Sequence, residues 1–296
     1  MTNNPETPHS EMWLGDHRDL WWNQDYLELL AKRFQLHDVK VMADIGAGKG
    51  HWTKCLIPFL DPLPKVTCID READWVSDLK QNFPANFSSI PSENFEFLQG
   101  DVLDLPLESE SCDLVTCQTL LMHVSDPMKA LAEMKRVVKP GGLILCVESM
   151  NLFNRLEMGT LTPELDIKTQ TKEFEAWLAF HRSKIELGEG DHDIASYLPK
   201  LFMDAGLKRI RTYQNDCVVP DIPGVVSEEE LDFDYMWPDV DDMVDKMEKT
   251  GYEQAQISEY KKALKEISDA SKEAMRKGSY VRSGGMNMFI VAGYKV

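Results

Sequence analysis

Short apolar runs alternate with amphipathic stretches between residues 39 and 149. The runs cover 39–45, 65–70, 95–100, 112–117 and 143–147. Several are hydrophobic at nearly every position, as strands are when both faces of a parallel sheet are covered. The stretches between them are long enough for crossover helices. The clearest starts at Ser125-Asp126-Pro127, a capping residue, an acid and a first-turn proline, and continues with Met128, Leu131, Met134, Val137 and Val138 on one face. Pro140-Gly141-Gly142 is expected to end it. The alternation predicts an α/β, doubly wound, mostly parallel sheet.

Past Glu148 the alternation stops. Phe174, Trp177, Leu178 and His181 recur at helical spacing, so a helical insertion is expected, with Phe174, Trp177 and Phe180 as its own small core or partly facing an acceptor. A helix over 194–205 closing at Gly206 and a strand over 207–213 follow. The polar stretches 221–250 and 253–277 read as helical; Ser283-Gly284-Gly285 is a turn, and 286–294 is a last apolar strand. The expected organisation is an N-terminal helical lid (1–35), an α/β core (36–149), a helical cap insertion (150–192), core continued (193–224), an acidic helical insertion (225–280) and the last core strand (281–296).

Within 221–250 lie eleven acids and two lysines, half of the net charge of −18. An acidic chain is a poor partner for nucleic acid, whose binding rests on basic groups neutralising phosphates; the block is expected to be a solvated surface. No apolar run reaches the roughly 18–20 residues of a membrane span, and 1–10 is polar with no secretory pattern, so a cytoplasmic location is expected. The six cysteines form no C-x-x-C pair and read as free thiols rather than disulfide or zinc ligands. No metal is expected.

The segment Val41-Met-Ala-Asp44-Ile-Gly46-Ala47-Gly48-Lys-Gly50-His51 carries the most chemistry. Glycine serves where the chain turns at positive φ or where backbone must approach a ligand, and a helix starting at once turns its free N–H groups toward that ligand. The spacing is G-x-G-x-G, not the G-x-G-x-x-G of a dinucleotide site. Asp44, two residues ahead, suits an ammonium or sulfonium better than a pyrophosphate. Asp70 ends the second strand, where a carboxylate can accept both hydroxyls of a ribose. Asp101 ends the third, and Val102 beside it gives an amine-bearing ring such as adenine a packing surface. Together the strand ends describe a site for adenosine joined to a positively charged group.

These motifs, with Cys112-Asp-Leu-Val115 and Lys139-Pro-Gly-Gly-Leu143, resemble the motif series of class I S-adenosylmethionine-dependent methyltransferases over about residues 39–148. The resemblance implies a seven-stranded Rossmann-like sheet in the order 3-2-1-4-5-7-6, the last strand antiparallel. It implies S-adenosyl-L-methionine as cofactor and S-adenosyl-L-homocysteine as product. Gly46, Gly48 and Gly50 fall to the methionine end, Asp70 to the ribose and Asp101 to the adenine amine; Gln118 lies beside the amino-acid moiety. Ala47 and Arg71, inside the first two motifs, join that set. The subgroup it most resembles acts on small molecules such as quinones, sterols and antibiotic precursors.

Methyl transfer is an in-line displacement in which holding the reactants in line can supply roughly 7–11 kcal/mol. Walls matter first. In the aromatic stretch 18–27, Trp22 and Tyr26 either close over the sulfonium by cation–π contact or, with Trp21, anchor the segment to the core. A base is required only for a hydroxyl or ammonium acceptor, at about 10²–10⁴-fold. His123, past the fourth strand, is a candidate base or loop-ordering residue; Glu148, at the tip of the fifth, is the second candidate, ahead of His181 and His192. The readings compared are a small-molecule methyltransferase, a protein methyltransferase, a non-catalytic cofactor-binding module and a nicotinamide enzyme. The last is disfavoured by the loop spacing and by the lack of a Tyr-x-x-x-Lys pair. The oligomeric state is open.

Overall fold

The computed structural model describes residues 16–86, 91–156, 159–217, 220–222, 224–227, 240–283 and 287–296. Seven strands form the main sheet: β1 (Val41–Ile45), β2 (Lys65–Asp70), β3 (Phe95–Gln99), β4 (Cys112–Gln118), β5 (Val138–Ser149), β6 (Lys208–Gln214) and β7 (Met288–Tyr294). Their order is 3-2-1-4-5-7-6. The first five are parallel, and β7 runs antiparallel to both β5 and β6. This is the Rossmann-like methyltransferase topology that the motif series implied. β1, β2 and β4 are buried along nearly their whole length, which explains their continuous hydrophobicity.

Among the described residues the α-helices are α1 (Gln24–Phe34), α2 (His51–Leu56), α3 (Ala73–Asn86), α4 (Pro127–Val137), α5 (Asn151–Arg155), α6 (Ile167–Glu186), α7 (Leu198–Asp204), α8 (Val240–Lys249) and α9 (Gln254–Arg276). At the start of α4 the Asp126 carboxylate accepts from the Lys129 N–H at 2.9 Å, and Ala130, Leu131, Met134 and Val137 are buried on its core face. Its end departs from expectation. The helix stops at Val137 and β5 begins at Val138, so Pro140-Gly141-Gly142 lies inside the strand at an irregularity of its pairing with β4. Gly142 is required there, because a Cβ would stand 2.8 Å from Val138 and 3.0 Å from the Asp113 carbonyl. The helix expected over 194–205 is broken into a 3₁₀ turn, Ile194–Ser196, and α7. Pro199 in the first turn of α7 lacks the N–H that would continue the preceding turn.

The chain forms two compact units. Unit 1 holds the residues through Ser149, then Ile194–Cys217 and Met288–Val296; unit 2 holds Met150–Asp193 and Val218–Asn287. Unit 1 contains the sheet and its main core, built on Ile45, Val115, Leu131, Ile144, Phe202 and Val291. In unit 2, Trp177 and Phe180 of α6 pack with Met243 and Met247 of α8 and with Ile257, Leu264 and Ile267 of α9. The aromatic stripe of the first insertion therefore shares a core with the second, while Phe174 remains 40% exposed. Of the acidic block, α8 is helical; residues 228–239 lie outside the described residues, as do 1–10, Met286 and the glycines of the turn expected at 283–285. All six cysteines are free, four of them buried. Among the described residues no helix is long and apolar enough to cross a membrane.

Candidate functional site

The carboxyl edge of β1 turns directly into the glycine loop. Gly46, Gly48 and Gly50 all have positive φ, at 68°, 53° and 79°, a region that side chains with a Cβ rarely occupy. Gly46 and Ala47 donate their N–H groups to the Ile69 carbonyl at 2.8 and 3.0 Å. Gly48 donates to the Asp70 carboxylate at 2.8 Å. Asp70 is 5% exposed and also accepts from the Glu72 N–H at 3.0 Å. Burial raises its pKa, against these two backbone donors. The loop is thus tied to the tip of β2, and two of the predicted motifs become one rigid rim.

Behind the loop, the fully buried Asp44 accepts from the Thr53 hydroxyl at 2.5 Å, leaving Oδ1 without a partner. Desolvation pushes its pKa up to about 7. The first turn of α2 makes two further links. The Trp52 indole donates to the Thr116 hydroxyl of β4 at 2.8 Å, and Nδ1 of His51 lies 2.9 Å from Oε1 of Gln118. Gln118 is 5% exposed, and its Nε2 is a buried donor without a partner.

Glu148 is completely buried at the end of β5. Its Oε1 accepts from the N–H groups of Leu120 and Leu121 at 3.0 and 2.7 Å, and Oε2 has no partner. Burial brings its pKa to about 7. Leu120 in turn packs on the glycine loop, where a Cβ at Gly46 would come within 2.7 Å of its Cδ1. His123 is half-buried and ends the 3₁₀ turn Leu121–His123 that Glu148 pins. Trp22 is buried between Tyr26, stacked at 6.4 Å, and Trp52, at 5.1 Å between centroids. Its Nε1 also lacks a partner. The Tyr26 hydroxyl donates to the Gln214 carbonyl at 2.5 Å, and burial raises its pKa to about 12.

Asp44, the loop from Gly46 to Gly50, Asp70, Gln118, Glu148, Trp22 and Tyr26 are therefore joined by a chain of direct contacts. Asp101 and Val102 follow Gly100, whose N–H donates to the Asp70 carbonyl at 2.9 Å. Asp101 is exposed and accepts from the Leu103 N–H at 2.8 Å, with Val102 buried beside it. Arg71 stands apart: its guanidinium is exposed and pairs with Glu72 at 3.2 Å. His181 and His192 belong to unit 2, where Nδ1 of His181 lies 2.5 Å from Asp193 Oδ2.

Sequence reasoning passed over His51, Trp52, Thr53 and Thr116. A signal was present, since His51-Trp52-Thr53 are two polar groups and an indole in the first turn after a ligand-type glycine loop. Their partners, 9 to 67 positions away, were not legible.

Residues 43–146 match the model of a methyltransferase domain family. That stretch is a methyltransferase domain. The match places the glycine loop, Asp70, Asp101 and Gln118 inside that domain. Demethylmenaquinone methyltransferase of Staphylococcus aureus is 36% identical over 106 residues, which is 36% of this chain and 42% of the relative. The chain thus spans less than half the length of the curated relatives it matches. Among solved structures, the fold is shared with the YcgJ protein of Bacillus subtilis (TM-score 0.51, 18% identity, 92% of this chain and 99% of that one). It is also shared with phosphoethanolamine N-methyltransferase 2 of Haemonchus contortus, solved with S-adenosyl-L-methionine (TM-score 0.52, 13% identity, 98% and 58%).

Proposed function

We propose that the protein transfers a methyl group from S-adenosyl-L-methionine to a small-molecule acceptor. One observation carries this reading. Four buried side-chain atoms, Asp44 Oδ1, Gln118 Nε2, Glu148 Oε2 and Trp22 Nε1, lack partners, and their residues surround a positive-φ glycine loop at the carboxyl edge of the methyltransferase domain. Buried polar groups are normally paired, and exceptions call for a cause. Of these, Gln118 Nε2 suits the carboxylate of a zwitterionic amino-acid group and Asp44 Oδ1 its cationic end.

In this reading the loop from Gly46 to Gly50, with Ala47, holds the methionine end, Gln118 holds its carboxylate and Asp70 accepts from the ribose hydroxyls. Asp101 accepts from the adenine amine, and Val102 packs on the ring. Arg71, exposed and paired to Glu72, serves the rim at most through its backbone. When bound, the cofactor supplies an electrophilic methyl on a sulfonium. The chain's part is to align and to exclude water, which is where the larger share of the rate arises. Trp22 and Tyr26 form an aromatic wall. His123 is the side chain assigned to take an acceptor proton, and Glu148 acts through the loop it pins, its Oε1 being held by the Leu120 and Leu121 N–H groups. The small-molecule acceptor is supported by the quinone-methylating relative and by the acidic charge, which disfavours a nucleic acid.

The test is methyl transfer from labelled S-adenosyl-L-methionine to a panel of quinols, phenols, amines and a protein extract. Labelled small molecules support the reading. Labelled protein alone replaces it with a protein methyltransferase, and cofactor binding without any transfer reduces the chain to a binding module.

A further inference from the structure

We propose that His51 is a positioning residue: it fixes the orientation of the Gln118 carboxamide so that the buried site presents an N–H donor, and not a carbonyl, to the carboxylate of the cofactor's amino-acid end. The inference rests on the cofactor reading above and adds to it a residue outside the motif glycines and strand-end acids.

A carboxamide can sit in either of two orientations, with oxygen and nitrogen exchanged, and the hydrogen-bond partner decides which. Oε1 of Gln118 faces Nδ1 of His51 at 2.9 Å, whereas Nε2 is buried and has no partner. If Nδ1 carries the proton, it donates to Oε1, and the amide nitrogen is turned to the ligand. The surroundings of the other ring nitrogen select this tautomer. Nε2 of His51 lies 3.7 Å from the Cys55 thiol, and burial lifts that thiol's pKa to about 12, so it keeps its hydrogen and can donate. The alternative, Nε2–H donating to Asp19, has only a 3.4 Å contact to a carboxylate that is 52% exposed, long for a charge-assisted bond. Desolvation lowers the His51 pKa, which keeps the ring neutral near pH 7. The ring is held edge-on by Trp21, with centroids 6.1 Å apart, and its backbone starts α2 directly after Gly50. The imidazole therefore has little freedom to choose another partner.

The chemistry predicted for the donor is recognition of an anionic oxygen, so the effect must depend on whether the ligand has a carboxylate. S-adenosyl-L-homocysteine has one; 5′-methylthioadenosine keeps the adenosine and thioether but lacks the amino-acid head. In calorimetric titrations, His51→Leu should weaken S-adenosyl-L-homocysteine about tenfold or more, the scale of a lost hydrogen bond to a charged group, and leave 5′-methylthioadenosine within about twofold, the scatter expected of a group it does not touch. His51→Asn, which keeps an N–H near the Nδ1 position, should restore most of the difference. Independently of any variant, ¹⁵N-histidine spectra of the wild-type chain should show His51 as the Nδ1–H tautomer. Equal weakening of both ligands, no weakening of either, or an Nε2–H tautomer overturns the proposal while leaving the cofactor reading in place. Failure of the wild-type chain to bind either ligand overturns that reading and this proposal with it.

Discussion

At the carboxyl edge of the sheet, Asp44, Gln118, Glu148 and Trp22 each bury a polar atom without a partner. In unit 2, by contrast, His181 is paired with Asp193, the Ser183 hydroxyl meets that of Thr250 at 2.7 Å, and Lys246 binds Glu189 and Asp242 at 2.8 and 2.9 Å. A buried polar group left unpaired costs about 1–3 kcal/mol, so the sheet edge gives up stability that the helical unit keeps. What locates the site is the gathering of four such atoms around one glycine loop, whereas these polar side chains of unit 2 satisfy one another.

The largest expected effect breaks the stable side of this comparison. Trp177→Ala empties part of the core shared by α6, α8 and α9 and should cost about 3–5 kcal/mol in denaturant unfolding, with no change in S-adenosyl-L-homocysteine affinity. A loss confined to affinity would mean that Trp177 belongs to a ligand site.

Next in size is Asp70→Ala. It removes the ribose acceptor and frees the Gly48 N–H, so affinity should fall about tenfold or more; unchanged calorimetric affinity would refute the ribose role.

Asp44→Asn should act in opposite directions on stability and binding. A carboxyl whose folded pKa is raised from 3.8 to about 7 holds an extra proton when folded. Its contribution to stability is therefore full below about pH 4, declines as pH rises toward 7 and is flat above. Glu148, also raised to about 7, adds to the same decline. Asp44→Asn should flatten the fall in melting temperature between pH 5 and 8 and raise stability at pH 8, while weakening cofactor binding. An unchanged slope would show that Asp44 is not the group responsible. The smallest effect is expected at an exposed pair of unit 2: Lys249→Ala, which breaks the contact to Asp245, should change stability by no more than about 1 kcal/mol in urea unfolding.

Much of the fold was legible because it depends on local pattern. The strand over 65–70 is recoverable to the residue from its apolar run, and Asp126-Pro127 marks the start of α4. Pro140-Gly141-Gly142 was misleading as a helix stop, because the same residues serve a close backbone crossing within β5 that only the pairing with β4 reveals. The rim of the site was legible where one strand end supplies one group, as with Asp70. It was not legible where a role depends on a distant partner. Glu148 reads as a strand tip and a candidate base, and its burial under the loop after β4 depends on contacts with Leu120 and Leu121. His51 gains its role only because β1 and β4 are neighbours, with Asp44 paired to Thr116, which sets the start of α2 against the end of β4. The common core of the two insertions likewise joins Trp177 to Met243 and Ile257 across more than sixty residues.

The central claim is that the sheet edge accepts adenosine bearing a thioether-linked amino acid. Titration of S-adenosyl-L-homocysteine into the purified chain, followed by calorimetry, tests it directly. One saturable site per chain and a rise in melting temperature with ligand concentration are the expected results. No heat of binding and no thermal shift at millimolar ligand would contradict it.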